Sequence, residues 1–174
     1  MRRLILFRHA KTERAAPGQA DLDRELTDRG RGDAATMGAY IASHGLAPSH
    51  VLVSPARRTR QTWDIMAPRI APPPRTAIDE RIYDASPERL FRLVETADPD
   101  AASLLIVGHN PGLHELAVAL TATGDIDARE QLQEKFPTSA LAVLDFAFKD
   151  WRDLHPQSAR LDRFISPRLL AGTV

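Results

Sequence analysis

Short apolar runs alternate along the chain with longer stretches whose apolar residues recur at helical spacing. Leu4–Phe7, Val51–Val53 and Leu104–Val107 are uninterrupted apolar runs of strand length, the pattern of strands buried on both faces. Leu141–Phe148 is apolar with polar interruptions and predicts a further strand, and Leu161–Ile165 predicts a short edge strand. Between these runs lie four helical patterns. Thr27 stands where an N-cap belongs; Ala34, Met37, Gly38, Ile41 and Ala42 follow at helical spacing, and the pattern stops before Gly45. Trp63, Met66, Ala67 and Ile70 form a second stripe. Ser86-Pro87 is an N-cap followed by proline at the first helical position, with Leu90, Leu93, Val94 and Ala97 as the buried face. Asn110-Pro111 repeats that start signal ahead of Leu113, Leu116, Ala117 and Leu120, and Gly124 is expected to end that helix. Asp125–Lys135 alternates both signs of charge and predicts a solvated helix or a mobile loop.

Strand–helix alternation of this kind predicts an α/β fold: one three-layer α/β/α domain over residues 1–174, with a mostly parallel sheet. The length fits a single domain. Pro72-Pro73-Pro74 reads as a rigid connector, too short to link domains. In open α/β sheets, sites form beyond the carboxyl ends of the strands, which directs attention to the residues that follow each run.

Composition narrows the chemistry. Lys and Arg number 23 and so do Asp and Glu, so no global field draws nucleic acid or an anionic membrane, and an anion site has to be local. No basic stripe interleaved with aromatics argues for nucleic acid. There is no cysteine, which removes disulfides, thiolate nucleophiles and Cys-based zinc sites. The opening Met1-Arg2-Arg3 is basic, but the apolar run after it ends within four residues at Arg8-His9, too short for a signal core. No run approaches the ~20 apolar residues of a membrane span. A soluble, cytoplasmic protein is the expectation.

The polar residues that follow the strands are distinctive. Arg8-His9 ends the first run, Ser54-Pro55 ends the second with Arg57-Arg58 opening the next helix, and Gly108-His109-Asn110 ends the third. A parallel sheet would bring two arginines and two histidines to one edge. Guanidinium forks bind phosphate oxygens bidentately and keep their charge. A neutral imidazole is a good nucleophile toward phosphorus. A second, protonated imidazole could donate to a phosphoryl oxygen as its charge grows. This set carries its own positive charge and implies no metal and no cofactor; neither an HExxH pattern nor paired ligand spacing is present. Taken singly, each residue also has a plain structural reading, as a surface pair, a helix-start residue or a solvated helix face. His44, His50, His114 and His155 have no such partners and read as structural or surface residues.

Several ordered motifs resemble the histidine phosphatase superfamily, the phosphoglycerate-mutase-like or RHG family, over nearly the whole chain. They are Arg8-His9-Ala10-Lys11-Thr12, Asp23–Gly30, Val53-Ser54-Pro55 with Arg58 and Gln61-Thr62, Val107–Pro111, and Phe136–Leu141. The first is similar to small SixA-type phosphohistidine phosphatases. The resemblance implies a phosphoglycerate-mutase-like fold and a metal-independent phosphatase. His9 would be the phosphorylated nucleophile, and Arg8, Arg58 and His109 would hold the phosphoryl group. Arg58 is preferred to Arg57 because it stands four residues after Ser54 and four before Thr62. Lys11 and Asn110 are further candidates for substrate contact, and the loop up to Asp23 borders the entrance. Two departures stand out: Ala10 occupies the place of a usual glycine, and the general acid of larger members maps onto Glu80, with Asp84 as an alternative.

The leaving group bears on the substrate. An alkoxide needs a proton in the transition state, whereas an imidazole protonates near neutral pH and leaves without a strong acid. With no long lid between Arg8 and Ser54, a protein-borne phosphohistidine is the favoured substrate. The alternatives are a broad small-molecule phosphomonoesterase or mutase-like enzyme, and a phosphoryl-binding module without turnover. The expected partners are therefore a phosphoprotein or a small phosphate ester, with no nucleic acid and no membrane.

Overall fold

A computed structural model describes residues 1–172. Among the described residues seven strands form one sheet: β1 (Arg2–Arg8), β2 (His50–Val53), β3 (Arg75–Ile78), β4 (Ser103–Gly108), β5 (Thr121–Gly124), β6 (Leu141–Phe146) and β7 (Ala159–Ile165). Their order across the sheet is β3-β2-β4-β1-β6-β7-β5. The β1–β4, β2–β3, β2–β4 and β5–β7 pairs are parallel, and β6 runs antiparallel to both its neighbours, β1 and β7. The mostly parallel sheet is therefore as expected. Six helices accompany it among the described residues: α1 (Asp28–Ser43), α2 (Arg57–Met66), α3 (Pro87–Glu95), α4 (Gly112–Leu120), α5 (Ile126–Glu134) and α6 (Pro167–Gly172).

The apolar runs are uninterrupted because each strand buries both faces. Leu4, Leu6, Leu104 and Ile106 pack on one side of the sheet against Leu90, Leu93 and Val94 of α3 and Leu113, Leu116 and Leu120 of α4. Ile5, Phe7, Leu105 and Val107 pack on the other against Ala34, Met37 and Ile41 of α1 and Trp63 and Met66 of α2. Alternate residues of one strand thus serve two cores, which is the three-layer arrangement. The caps behave as read: Thr27 accepts from the Gly30 N–H and Ser86 from the Arg89 N–H.

Three expectations change. Leu161–Ile165 lies in β7, which is an interior strand, because the short β5 pairs along its outer side. Gly124 does not end the helix before it; α4 stops at Leu120 and Gly124 closes β5. Asn110 does not cap α4, since the chain passes through Pro111 before the helix begins and the Asn110 amide turns to the Phe136 carbonyl instead. Of the two readings of Asp125–Lys135, the helix is the one observed: α5 spans Ile126–Glu134 with Asp125 capping it and Leu132 buried against the core. The strand β3 has no counterpart in the apolar pattern, because every residue in it is exposed at the sheet edge.

Candidate active site

The sheet order sets β2, β4 and β1 side by side and parallel, so their carboxyl ends emerge together. Val53 pairs with Val107, Phe7 with Val107 and Arg8 with Gly108. The next residues along the three strands are Ser54, His9 and His109, and Arg58 enters from the first turn of α2. Arg8, His9, Arg58 and His109 line one cavity of about 340 Å³. Lys11, Arg14 and Arg24 add positive charge to its wall, and among the described residues no carboxylate lines it. The four residues singled out in the sequence are therefore brought together, along with Lys11 and Asn110. Arg57, one position along the helix from Arg58, is exposed and pairs with Glu25 at 2.6 Å.

His9 is almost wholly buried, with its ring centroid 5.3 Å from that of His109. Its Nδ1 lies 2.8 Å from the Ala10 carbonyl oxygen. A carbonyl can only accept, so Nδ1 carries the proton and Nε2 keeps its lone pair. Among the described residues Nε2 has no hydrogen-bond partner. Burial, reinforced by His109, Arg58 and Arg8 nearby, pushes the His9 pKa down to about 3, against the opposing effect of the Ala10 hydrogen bond. His9 is a neutral imidazole at neutral pH.

Burial and then Arg58 push His109 down to about 4. The expected protonated imidazole is thus a neutral one, because two guanidinium groups and a dry wall disfavour a further charge. It can still donate. His109 Nε2 lies 2.7 Å from the Ser54 hydroxyl, whose proton has no other acceptor among the described residues. Ser54 donating to Nε2 leaves the His109 proton on Nδ1, a buried atom without a partner.

The arginines are anchored on one side only. Arg8 Nη1 donates to the Phe136 carbonyl at 3.0 Å. Arg58 Nη1 donates to the Asp21 carbonyl at 2.8 Å and Nη2 to the Asp21 carboxylate at 3.0 Å. In both, Nε is buried and unpartnered. Burial and then Arg58 lower the Arg8 pKa. Buried donors without acceptors in a cationic cavity are what an anion would satisfy.

Ala10 takes the glycine position without strain. Its φ is not in the left-handed region, its methyl group is fully buried in the core under α1 and α2, and its N–H donates to Thr62 Oγ1 at 3.0 Å.

Glu80 does not line the cavity, and neither does Asp84. Asp79 accounts for this: its carboxylate accepts from the Arg81 backbone N–H and pairs with the Arg81 side chain, winding residues 80–82 into a short 3₁₀ turn that leaves Glu80 exposed. The acidic residue that does reach the arginines is Asp21, which sequence reasoning passed over. Its only signal was an acidic position in the entrance loop just before the Asp23–Gly30 motif. The carboxylate sits at about 2, held down first by the Tyr83 hydrogen bond and then by Arg24 and Arg58, against the opposing effect of burial.

Among the described residues, no group of three or more His, Asp or Glu side chains is placed to hold a metal ion, and no helix is long and apolar enough to cross a membrane.

The architecture is the phosphoglycerate-mutase-like α/β fold, with a cationic, histidine-bearing cavity at the carboxyl edge of its sheet. The sequence profile of the histidine phosphatase superfamily (branch 1) matches residues 4–100. An uncharacterized Mycobacterium tuberculosis protein is 39% identical over 165 residues, 93% of this chain and 100% of the relative. A candidate phosphohistidine phosphatase SixA from Agrobacterium tumefaciens superposes with a TM-score of 0.81 at 30% identity, over 95% of this chain and 98% of that one. A tungstate complex of the protein histidine phosphatase SixA shares the fold at a TM-score of 0.77 and 20% identity, over 97% of this chain and 99% of that one. The chain belongs to the histidine phosphatase superfamily, in its SixA-type branch, and is a hydrolase of the histidine phosphatase type.

Proposed function

We propose that this phosphatase works through a phosphohistidine intermediate on His9 and that its substrate is phosphohistidine on a protein. The observation that carries the reading is the state of His9: Nδ1 is committed to the Ala10 carbonyl, Nε2 is bare, and the ring shares one cavity with Arg8, Arg58 and His109.

Nε2 attacks phosphorus as the substrate's P–N bond breaks, and the leaving imidazole nitrogen keeps the electron pair and takes a proton from water. Arg8 and Arg58 neutralise the charge on the three equatorial oxygens, and the Nδ1–H of His109 donates a hydrogen bond to them. Water then attacks the phosphorus held on Nε2, gives up its proton, and inorganic phosphate leaves with His9 restored. Among the described residues the cavity has donors and no carboxylic acid, which suits a leaving group that needs little help. The description of the Agrobacterium relative as a candidate phosphohistidine phosphatase supports the same substrate class. Lys11 and Asn110 would meet the body of the substrate at the cavity wall. The proposal includes a cytoplasmic location, supported by a chain that does not use cysteine.

Turnover of a phosphohistidine protein beside a panel of phosphate monoesters, with acid-labile phosphate trapped on the enzyme, tests the reading. His9→Ala should abolish trapping and lower kcat/KM by about 10³-fold or more while anion binding persists. Full activity in that variant would end the covalent mechanism. A strong preference for one small monoester would replace the protein substrate.

A further inference from the structure

Arg58 meets one residue with two of its three nitrogens. Nη1 donates to the Asp21 backbone carbonyl and Nη2 to the Asp21 carboxylate, so Asp21 occupies the end of the guanidinium fork. The flank formed by Nε and the second hydrogen of Nη2 remains, and Nε has no partner. Arg8 repeats the arrangement with a different anchor: the Phe136 carbonyl takes Nη1, and Nε is again unpartnered. A guanidinium presents two bidentate edges, at its end and along its flank. Both arginines have the Nη1 side tied down and the flank unclaimed.

Asp21 is itself held. Tyr83 donates its hydroxyl to Asp21 Oδ2 at 2.7 Å, and Arg24 Nη1 lies 3.2 Å from Oδ1. The Arg24 fork also donates to Thr12 Oγ1 and to the Glu13 carbonyl, which ties Asp21 to the far side of its own loop. Arg58 is therefore gripped by a loop residue that Tyr83 and Arg24 hold in place.

We propose that Asp21 is a positioning residue for Arg58: by taking the end of the fork, it turns the Nε–Nη2 edge toward the phosphoryl group. The inference rests on the reading of Arg58 as a phosphoryl ligand. Asp21 touches no reacting atom and acts only through Arg58. Its low pKa keeps the anchor ionised throughout the working range.

A double-mutant cycle on the full chain tests this, with p-nitrophenyl phosphate and phosphohistidine as substrates and orthovanadate as a binding probe. D21A is expected to lower kcat/KM and vanadate affinity by about 10- to 100-fold, the scale of a ligand misplaced by an ångström. D21N, whose amide oxygen still accepts from Nη2, should stay within about 3-fold of the parent. In the R58A background D21A should cost less than about 2-fold, because its effect passes through the missing side chain. Thermal midpoints accompany every variant, since a merely structural loop defect would lower activity equally with or without Arg58. Full activity in D21A, or a D21A loss that adds to that of R58A, would overturn the inference while leaving the site intact. An R58A variant as active as the parent would remove Arg58 from the site and take the inference with it.

Discussion

The backbone N–H of Ala10 donates to Thr62 Oγ1 at 3.0 Å, and that hydroxyl in turn donates to the Arg58 carbonyl at 2.7 Å. One buried threonine thus joins the residue after the nucleophile candidate to the helix that carries Arg58. Thr62→Val keeps the shape and removes the acceptor. The Ala10 N–H would be left buried and unsatisfied, at a cost of about 1–3 kcal/mol. Urea unfolding should show that loss, and kcat/KM should fall with it. A variant as stable and active as the parent would mean that the link carries neither stability nor alignment.

Glu80 stands outside the cavity on a turn shaped by Asp79. Glu80→Gln should therefore change kcat/KM toward phosphohistidine by less than about 3-fold, well short of the 10²–10⁴-fold typical of a lost general acid. Steady-state assays on both P–N and P–O substrates check this. A drop of that larger size would bring Glu80 back as the proton donor.

The buried His9 makes stability depend on pH. Its ring binds a proton near 6.5 when unfolded and only near 3 when folded. Between those values the unfolded chain holds more protons, so stability falls as the pH drops through that window. His9→Gln lacks the effect. Between pH 7 and pH 4.5 the parent should lose roughly 2 kcal/mol more than the variant, measured by urea unfolding at both values. Equal losses in the two proteins would show that His9 titrates normally.

Gly30 explains one motif glycine by close approach. A Cβ built there would lie 2.1 Å from the Lys11 carbonyl oxygen, a backbone atom that cannot swing aside. Gly30→Ala should cost about 1–3 kcal/mol by overpacking and disturb the loop that carries Lys11. Chemical denaturation together with vanadate binding reads both effects. An unchanged midpoint would mean that α1 shifts freely against that loop.

The sequence alone determined the α/β alternation, three buried strands, the caps at Thr27 and Ser86, and the two arginines and two histidines grouped after those strands. These are local matters: strands buried on both faces need continuous apolar runs, and caps need a hydroxyl at one position. Tertiary structure decided the rest. β3 and β5 carry no apolar signature, so only pairing with their neighbours makes them strands. Glu80 matched a motif position, but its direction was set by the Asp79–Arg81 turn. The Ala10 carbonyl that sets the tautomer of His9 is adjacent in the chain, but the burial of that ring, the neutrality of His109 and the grip of Asp21 on Arg58 depend on partners dozens of residues away. Adjacency along the chain says where a side chain begins; what it faces is settled only when distant segments pack around it.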